Sequence, residues 1–460
     1  MKKNVSFILV FLLILSVFSG CGNGSDNAKH YGDELTNDTL RVCVDCWSFS
    51  GKYSSNPSDH EYEVGVFLED LAQDIKSACS IEKIVFEVLP HNGAERETAL
   101  QRLRTEIMAG GGPDVFIMET VLDMLEDEKI AGVESREALF TFPEKNMESG
   151  LFLPLDEYMA NNTQFTDWSN QTKAVMDAGR SGDGQVIIPM KYTLPIWVYP
   201  KSKVDPAISE MTMWEILENA ETAELGAVLY TSHVRTDSSG DRASRSFLQY
   251  ILGELADYEN EELLFTEDEL YEVIETAYSL RDDVEKNQLQ YIESSADYDL
   301  VYQINLAYFD EDMTLVPLYS ADGGVTASIR SYAAVNRNTK FPKEAFSVID
   351  YIMQEDMQRN SYLYYKYYAN GLPMQNDLGQ EGKSLYANSL TERVLDEPYF
   401  EDLLSIKDQI AAVNFQNGLD SVLHELMADI SFDHNINGAT TIDRAVISEA
   451  YEKMKRMMGE

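Results

Sequence analysis

Basic residues are scarce in this chain of 460 residues, in which 36 Lys and Arg stand against 79 Asp and Glu for a net charge of −43. A surface of this sign repels phosphate backbones, so nucleic acids are excluded as partners. Peripheral attachment to anionic lipid through a basic patch is disfavoured for the same reason. The six histidines are scattered without metal-ligand spacing, so we expect no metal and no cofactor. The composition therefore favours a neutral or cationic ligand.

Cysteine is rare, and only three cysteines follow Cys21, at positions 43, 46 and 79. Cys43 and Cys46 lie in a strand-like segment, where their spacing directs them to opposite faces. We therefore expect neither a shared metal nor a disulfide between them. A disulfide from either one to Cys79 and buried free thiols both remain open, and the fold does not depend on disulfides.

Long hydrophobic runs are absent except for Val5–Phe18, which follows two lysines. The run is short for a membrane span and has the length and flanks of a signal-peptide core. The Ser19-Gly20-Cys21 segment after it resembles a bacterial lipoprotein box, although Phe18 stands where Leu is usual. We predict that residues 1–20 are a lipoprotein signal peptide and that Cys21 is lipidated, with an ordinary secretory signal as the alternative. The protein would then be anchored at the outer face of the cytoplasmic membrane, held there by lipid alone.

Residues 21–39 are rich in Gly, Asn, Asp and Ser without an apolar period, which predicts a flexible tether. After the tether, a strand at Leu40–Trp47, a helix at Val64–Ala78 and a strand at Ile81–Leu89 follow in order. This β-α-β order predicts a parallel pair of strands joined by a crossover helix. A second helix ends at Gly110-Gly111-Gly112-Pro113, because Gly suits the end of a helix and Pro cannot continue it.

The second half of the chain has well-marked helix starts. Thr212 with Glu215, and Thr266 with Glu269, predict capping boxes. Pro195 interrupts the extended segment Lys191–Tyr199, which favours a crossing segment over a central strand. Further predicted elements are strands at Val115–Met118, Leu315–Tyr319 and Ser328–Val335, a helix from Pro342, and a mostly helical segment from Leu390 to the end.

The segment Arg102–Val115, a helix that ends in Ala-Gly-Gly-Gly-Pro-Asp-Val, resembles the most recognisable stretch of a known family. That family is extracellular solute-binding protein family 1, the importer-associated group that contains maltose-binding protein. Further stretches agree in order and spacing: Gly184–Pro189, Thr212–Glu215, Ser331–Arg337 with Pro342–Phe346 and, more weakly, Gly371–Pro373.

The resemblance implies an α/β, two-lobed periplasmic-binding-protein-like fold with a hinge of crossing strands. We expect lobe 1 to contain 40–155 and 323–370, and lobe 2 to contain 156–322 and 371–460. The segment Tyr302–Phe309 departs from the family pattern, because it has neither the usual Met-containing strand nor the Gly-x-Trp turn. The pocket wall there cannot be assigned by resemblance.

The resemblance also implies a ligand enclosed between the lobes, with no chemistry performed on it. Closure is then a population shift that the membrane permease of an ATP-driven (ABC) importer recognises. We expect a monomer that binds a carbohydrate, specifically an oligosaccharide. A binder of a polyamine, basic peptide or metal would also suit the charge. A glycoside-acting enzyme would need two carboxylates facing each other across the cleft.

Ligands of open α/β lobes bind outside the carboxyl ends of the strands, which selects the first candidate residues. Asp45 and Trp47 end the first strand, where the ring could stack on a sugar and the carboxylate accept from hydroxyls; lobe packing is the alternative for Trp47. Glu119 and Thr120 follow the next buried strand and are expected to contact ligand. Asp114, at the start of that strand, is expected to fix the loop after Pro113.

The remaining candidates lie on the crossing segment and before the return strand. Tyr192 falls where the resembled family offers an aromatic ring to its ligand, and Trp197 stacks on ligand or braces the hinge. Asp322, Gly323 and Gly324 precede the return strand, where backbone can approach a ligand closely. A plain turn is the alternative for these three residues.

Overall fold

The computed structural model describes residues 28–46, 57–90, 93–120, 137–200, 211–218, 247–286, 313–321, 323–360, 372–376, 397–437, 439 and 441–459. The strands are β1 Lys29–Gly32, β2 Leu40–Asp45, β3 Ile84–Val88, β4 Val115–Glu119, β5 Arg180–Ser181, β6 Gly184–Gln185, β7 Ile187–Thr193, β8 Ile196–Pro200, β9 Ala256–Asp257, β10 Glu262–Leu263, β11 Met313–Pro317, β12 Val325–Val335, β13 Leu372–Pro373 and β14 Ile410–Phe415. The helices are α1 Pro57–Cys79, α2 Gly93–Met108, α3 Pro143–Glu148, α4 Asp156–Asn161, α5 Lys173–Asp177, α6 Met213–Glu218, α7 Phe247–Leu252, α8 Glu267–Lys286, α9 Pro342–Ile352, α10 Glu355–Asn360, α11 Glu397–Lys407, α12 Gly418–Asn437 and α13 Arg444–Gly459. None of the helices in these ranges carries an apolar stretch long enough to cross a lipid bilayer.

Three parallel strands form one side of the largest sheet, and they confirm the predicted β-α-β unit. β2 lies between β3 and β4 and pairs parallel with both. The helix α1 connects β2 to β3, and α2 connects β3 to β4. On α1 the buried residues Val64, Leu68, Leu71 and Ile75 form the apolar stripe that the helical period predicted.

The long strand β12 joins this parallel part to the rest of the sheet, in the order β1-β3-β2-β4-β12-β7-β13. The C-terminal half of β12 pairs antiparallel with both β4 and β7. Its N-terminal half pairs parallel with β14. All eleven residues of β12 are buried, so this strand runs through the interior.

Two short strands correct the sequence predictions. Residues 29–32, assigned to the tether, form β1 and pair antiparallel with β3. The edge position and side-chain bonds stabilise this polar segment: Asp33 accepts from Lys76 Nζ at 2.8 Å and from Ile84 N at 2.9 Å. β14 lies in the segment predicted as mostly helical, although α11, α12 and α13 confirm the helices there. Such a short apolar run takes its form from long-range pairing with β12, which periodicity does not reveal.

The predicted crossing segment runs between two sheets. β7 ends at Thr193, and β8 then pairs antiparallel with β11 in a separate two-stranded sheet. β7 itself lies between β12 and β13, so part of the segment is an inner strand, contrary to the prediction.

One hydrophobic cluster surrounds the largest sheet, and a second is formed mainly by α6, α7, α8, α12 and α13. The lobe boundaries given above stay predictions.

Both predicted capping boxes are present. Thr212 N donates to Glu215 Oε2 at 2.8 Å, and Glu215 N donates to Thr212 Oγ1 at 3.1 Å. The same reciprocal bonds join Thr266 and Glu269, at 2.7 and 3.2 Å. Each box satisfies backbone donors that the first turn of its helix would otherwise leave unpaired.

The glycine loop after α2 is fixed as expected. Gly110 and Gly112 adopt φ values of 80° and 95°, which disfavour any residue with a side chain. The Asp114 carboxylate accepts from Arg41 N at 2.8 Å and from Thr339 Oγ1 at 2.6 Å. Asp114 is therefore structural, as the sequence indicated.

Cys43, Cys46 and Cys79 are free thiols. Cys43 and Cys46 are buried in the first hydrophobic cluster. Cys79 is half-buried and donates to Ser347 O at 3.5 Å. Burial, with a contribution from Asp350, raises the pKa of Cys79 to about 12. Of the two possibilities left open by the sequence, the structure has the free thiols.

Candidate ligand-binding site

The ends of several strands converge on one recess at the carboxyl edge of the largest sheet. Because β3 and β4 lie on opposite sides of β2, the strand order reverses at β2, and open α/β sheets bind ligands at such a point. We call this the edge recess. Its lining residues are Asp45, Met118, Glu119, Thr120, Ala138, Leu139, Phe140, Thr141, Pro143, Tyr332, Gln416 and Asn417.

The edge recess is small, and polar and apolar residues line it in similar measure. Its volume is about 10 Å³, which is close to the minimum needed for one water molecule. Carboxylate, hydroxyl and amide groups contribute to its lining, from Glu119, Thr141, Gln416 and Asn417. These groups form the floor of a site and not a complete pocket.

Asp45 lies where the sequence placed it, at the end of β2, but its carboxylate is already engaged. Arg96 of α2 donates to both oxygens, at 2.9 and 2.8 Å, and both side chains are buried. Arg96 also donates to the carbonyls of Pro90 and Glu137. The pair therefore fastens the start of α2 to the end of β2, and a ligand hydroxyl would have to share the carboxylate with Arg96.

Glu119 and Thr120 lie side by side at the end of β4, as predicted. Glu119 and Lys191 both stand in register with Ser331 of β12, and Lys191 Nζ lies 3.8 Å from Glu119 Oε1. The side chains of Glu119, Lys191 and Ser331 are all buried. Thr120 donates from its hydroxyl to Ile329 O at 2.6 Å. Thr120 is thus held by the backbone of β12, while Glu119 presents a charged acceptor to the edge recess.

Beside the edge recess, four residues join α3 to the second hydrophobic cluster. We call Glu144, Asn417, Tyr258 and Asp420 the junction cluster. Asn417 donates from Nδ2 to Glu144 Oε1 at 3.0 Å and to the Tyr258 hydroxyl, and from its backbone N to Asp420 Oδ2 at 2.8 Å. Among the described residues, neither Glu144 Oε2 nor Asp420 Oδ1 has a hydrogen-bond partner, and both atoms are buried.

Burial gives this cluster unusual acidities. It raises the pKa of Glu144 to about 8, with a further contribution from nearby Asp420. It raises the pKa of Asp420 to about 7, although Arg330 acts in the opposite direction. Neither carboxyl lines the edge recess, so both belong to the join between the clusters and not to the candidate site.

Tyr192 is fully buried and is not part of the edge recess. Its hydroxyl lies 3.3 Å from Thr172 Oγ1, and Lys407 Nζ lies 5.8 Å from the centre of its ring. In this structure the ring therefore packs inside the protein and offers no face to a ligand. Burial also lowers the pKa of Lys407 to about 7.

The other candidate residues lie either away from the edge recess or outside the described residues. Trp47 and Asp322 lie outside the described residues. Trp197 lies in β8, in register with Val316 of β11. Gly323 and Gly324 have φ values of 81° and 73°, as a turn requires. Only Gly324 is crowded, since an added Cβ would lie 2.4 Å from the Ala411 Cβ.

Sequence reasoning missed three residues of this region. Arg96 and Lys191 pair with predicted site residues, but such pairing between distant segments leaves no local pattern. Asn417 did leave a local pattern in the sequence. A helix start is typically marked by Asn followed three residues later by an acidic residue, ahead of an apolar run. In the part of the chain that the structure describes, no group of three His, Cys, Asp or Glu side chains is placed to hold a metal ion.

Comparison with known proteins yields structural matches only. No protein-family model and no curated protein sequence matches the chain. An extracellular solute-binding protein family 1 member from Alicyclobacillus acidocaldarius superposes with a TM-score of 0.51 and 12% identity, over 93% of this chain and 100% of its own. The cyclic alpha-maltosyl-1,6-maltose binding protein from Arthrobacter globiformis gives 0.50 and 13%, over 91% and 98%. A de novo designed cysteine esterase gives 0.51 and 11%, over 92% and 98%.

These matches extend over nearly the whole chain at very low identity, so they establish the fold and not the activity. The predicted fold is therefore confirmed: the chain has the α/β, periplasmic-binding-protein-like fold of the extracellular solute-binding proteins.

Proposed function

We propose that this chain is a solute-binding protein that captures a carbohydrate, specifically an oligosaccharide, between two lobes. One observation carries the proposal: strand ends from distant parts of the chain, β2, β4 and β14, place polar side chains around a single recess at the reversal of strand order. In this role the protein binds its ligand and releases it unchanged.

The chemistry of the edge recess favours a neutral, hydroxyl-rich ligand. Glu119 accepts hydrogen bonds from hydroxyls, and the amides of Gln416 and Asn417 both donate and accept. The net charge of −43 opposes an anionic ligand. A sugar-binding protein with the same fold, the cyclic alpha-maltosyl-1,6-maltose binding protein, supports the choice of carbohydrate.

The proposal includes anchoring and delivery. Lipidation at Cys21 would hold the protein at the outer face of the cytoplasmic membrane. The protein would act as a monomer, and an ABC permease would receive the ligand from its closed form. These parts rest on the signal segment and on the fold. Mass spectrometry of the membrane-extracted protein tests the first part, since a diacylated or triacylated N-terminal cysteine is expected.

Calorimetric titration tests the ligand. The chain from Gly22 is titrated with neutral oligosaccharides, polyamines and basic peptides, and each sugar is recovered and analysed afterwards. We expect saturable one-to-one heat with a sugar that is returned unaltered. Heat only with a cation, weakened steeply by salt, would establish the cationic ligand instead. New reducing ends in the recovered sugar would establish the glycoside-acting enzyme.

A matched pair of variants locates the site. Glu119→Gln keeps the shape of the side chain and removes its charge, so sugar affinity is expected to fall about ten-fold or more, because hydrogen bonds to charged groups contribute about 1.5–3 kcal/mol. Glu97→Gln makes the same change on the exposed face of α2 and should leave affinity unchanged. Equal affinities for the two variants would exclude the edge recess as the site.

A further inference from the structure

One serine and two charged side chains form a row across three neighbouring strands of the largest sheet. Ser331 of β12 stands in register with Glu119 of β4 on one side and with Lys191 of β7 on the other. Residues that are paired in register present their side chains on the same face of a sheet. We call Glu119, Ser331 and Lys191 the polar row. Glu119 also lines the edge recess, so the row lies next to the candidate site.

The two charges of the polar row meet above the serine without forming a hydrogen bond. Neighbouring strands lie about 4.8 Å apart, so β4 and β7 are separated by about 10 Å with β12 between them. Both charged side chains lean over β12, because Lys191 Nζ comes within 3.8 Å of Glu119 Oε1. Charge-assisted hydrogen bonds are about 2.7–2.9 Å long. The contact therefore leaves the N–H donors of Lys191 unused by Glu119.

Ser331 has unused bonding capacity as well. Its hydroxyl is buried and has no hydrogen-bond partner in the part of the chain that the structure describes. The residue is only 2% exposed, so water does not reach the hydroxyl freely. A buried hydroxyl without a partner destabilises the fold, and alanine in its place would not. The polar row therefore lacks a partner that would complete its hydrogen bonds.

The charges of the polar row select the chemistry of that partner. An ammonium group would be attracted by Glu119 but repelled by Lys191, and a carboxylate would meet the reverse. Neither gains a net attraction that offsets the loss of its hydration on burial. A neutral hydroxyl accepts from Lys191 and at the same time donates to Glu119. The edge recess, at about 10 Å³, has room for one such group and not for a sugar ring.

We propose that the polar row is a subsite that binds one neutral hydroxyl group of the captured carbohydrate, with Lys191 and Ser331 as specificity-determining residues. The inference rests on the proposed function and narrows its ligand to one that presents an uncharged hydroxyl at this point. A polyamine or a basic peptide, which the net charge alone would admit, does not fit there. Lys191 and Ser331 read the hydroxyl from strands other than the one that carries Glu119.

Two serines of β12 provide a matched pair of variants. Ser331→Ala removes the hydroxyl of the polar row. Ser328→Ala removes a hydroxyl that is equally buried and also has no partner among the described residues. Ser328 lies three positions away along the strand, so its side chain is on the other face of the sheet. Both variants should unfold at the urea concentration of the unsubstituted chain or slightly above it, because neither loses a hydrogen bond of the described fold.

Calorimetric titration with maltotriose, cellotriose and mannotriose compares these variants with the unsubstituted chain. The trisaccharide that gives saturable heat serves as the probe. We expect Ser331→Ala to bind the probe about two- to ten-fold more weakly, which is the range of a single neutral hydrogen bond. Ser328→Ala should bind it as the unsubstituted chain does. Lys191→Met, which keeps the length of the side chain, should lose about ten-fold or more, because the lost bond is charge-assisted.

Monodeoxy derivatives of the probe separate a contact with the ligand from a structural effect. The derivative that lacks the hydroxyl bound by the polar row should have the same affinity for Ser331→Ala and for the unsubstituted chain, because the serine has nothing to bond in it. Every other derivative should still bind Ser331→Ala more weakly. A loss in Ser331→Ala that is the same for all derivatives would overturn the inference.

The serine pair also distinguishes failure of the subsite from failure of the proposed function. If Ser331→Ala binds the probe as tightly as the unsubstituted chain, or if both serine variants weaken it equally, the subsite is wrong and the proposed function stands. If none of the three trisaccharides gives heat with the unsubstituted chain, the carbohydrate assignment fails, and the subsite falls with it.

Discussion

The first sheet and the junction cluster both bury charged groups, but they do so in opposite ways. In the sheet, Glu87 is completely buried between Arg41 and Arg102 and accepts from both. Glu106 accepts from the same two arginines, at 2.9 and 3.1 Å. Burial by itself would raise the pKa of Glu87, yet the two guanidinium groups outweigh it and the pKa is lowered.

The junction cluster lacks this alternation of sign. Its carboxyls, Glu144 and Asp420, bond to an amide side chain and to backbone, and burial raises both pKa values. Buried charges of alternating sign therefore hold elements together over a wide pH range. Buried groups of one sign instead make the stability of the join depend on pH.

Breaking a balanced pair should give the largest effect. Arg96→Met leaves Asp45 buried without its cation, and the free energy of unfolding should fall by about 3–5 kcal/mol at pH 7 in urea titrations. Arg104→Met, which removes a partly exposed pair with Glu137, should cost about 1 kcal/mol or less. Adding Asp45→Leu to Arg96→Met should recover much of the loss; a double variant as unstable as the single one would contradict this account.

Removing the central carboxylate of the sheet should come next. Glu87→Gln leaves Arg41 and Arg102 close together with only Glu106 between them, at an expected cost of about 2–3 kcal/mol at pH 7. Because the pKa of Glu87 is lowered on folding, its contribution is present above the ordinary glutamate value and lost as pH falls through the folded value. The cost should therefore shrink below about pH 4. Urea titrations at pH 3.5 and 7 measure this, and an equal cost at both would refute it.

Neutralising the junction should have the opposite sign. Glu144→Gln should raise the free energy of unfolding by about 1–2 kcal/mol at pH 8. Burial raises the pKa of Glu144 to about 8 in the folded chain. The protonated carboxyl therefore contributes its full stability below the ordinary pKa of about 4.5. This contribution to stability is lost as the pH rises through about 8. The gain should thus grow between pH 5 and 8 in a series of urea titrations. Glu148→Gln, at the exposed end of the same helix, is the matched control and should show no such growth.

Asp420→Asn should give the smallest gain, about 1 kcal/mol or less at pH 8. The pKa of Asp420 is raised only to about 7, and Arg330 partly offsets the charged form. Asn retains an oxygen for the bond from Asn417 N. Thermal unfolding at pH 5 and 8 measures the effect, and a loss of stability at both values would show that Asp420 acts mainly as a helix cap.

The fold was predictable where local sequence determines local structure. The apolar period of α1, the glycines after α2 and the Thr-x-x-Glu boxes all act within a few residues. β1 and β14 were missed because their extended form comes from pairing with β3 and β12, far away in sequence. A polar stretch of four residues shows no period that would distinguish a strand from a tether.

The candidate site was predictable in position and less so in partners. Asp45, Glu119 and Thr120 line one recess, because the carboxyl ends of parallel strands meet at one edge. Arg96 pairs with Asp45, and Lys191 pairs with Glu119. A single sequence does not reveal such pairs between distant segments. Tyr192 was assigned to ligand by resemblance, but β7 is an inner strand with its residues buried, so the ring is enclosed.

The free thiols give the protein a built-in reporter of its own opening. Only a thiolate reacts with alkylating reagents, and Cys43 is fully buried with its pKa raised well above the ordinary value by burial. Alkylation of Cys43 therefore requires β2 to separate from its neighbours, whereas labelling of the half-buried Cys79 reports opening at the end of α1. Two labelling rates on the unmodified chain would distinguish fraying of one helix from unfolding of the whole sheet.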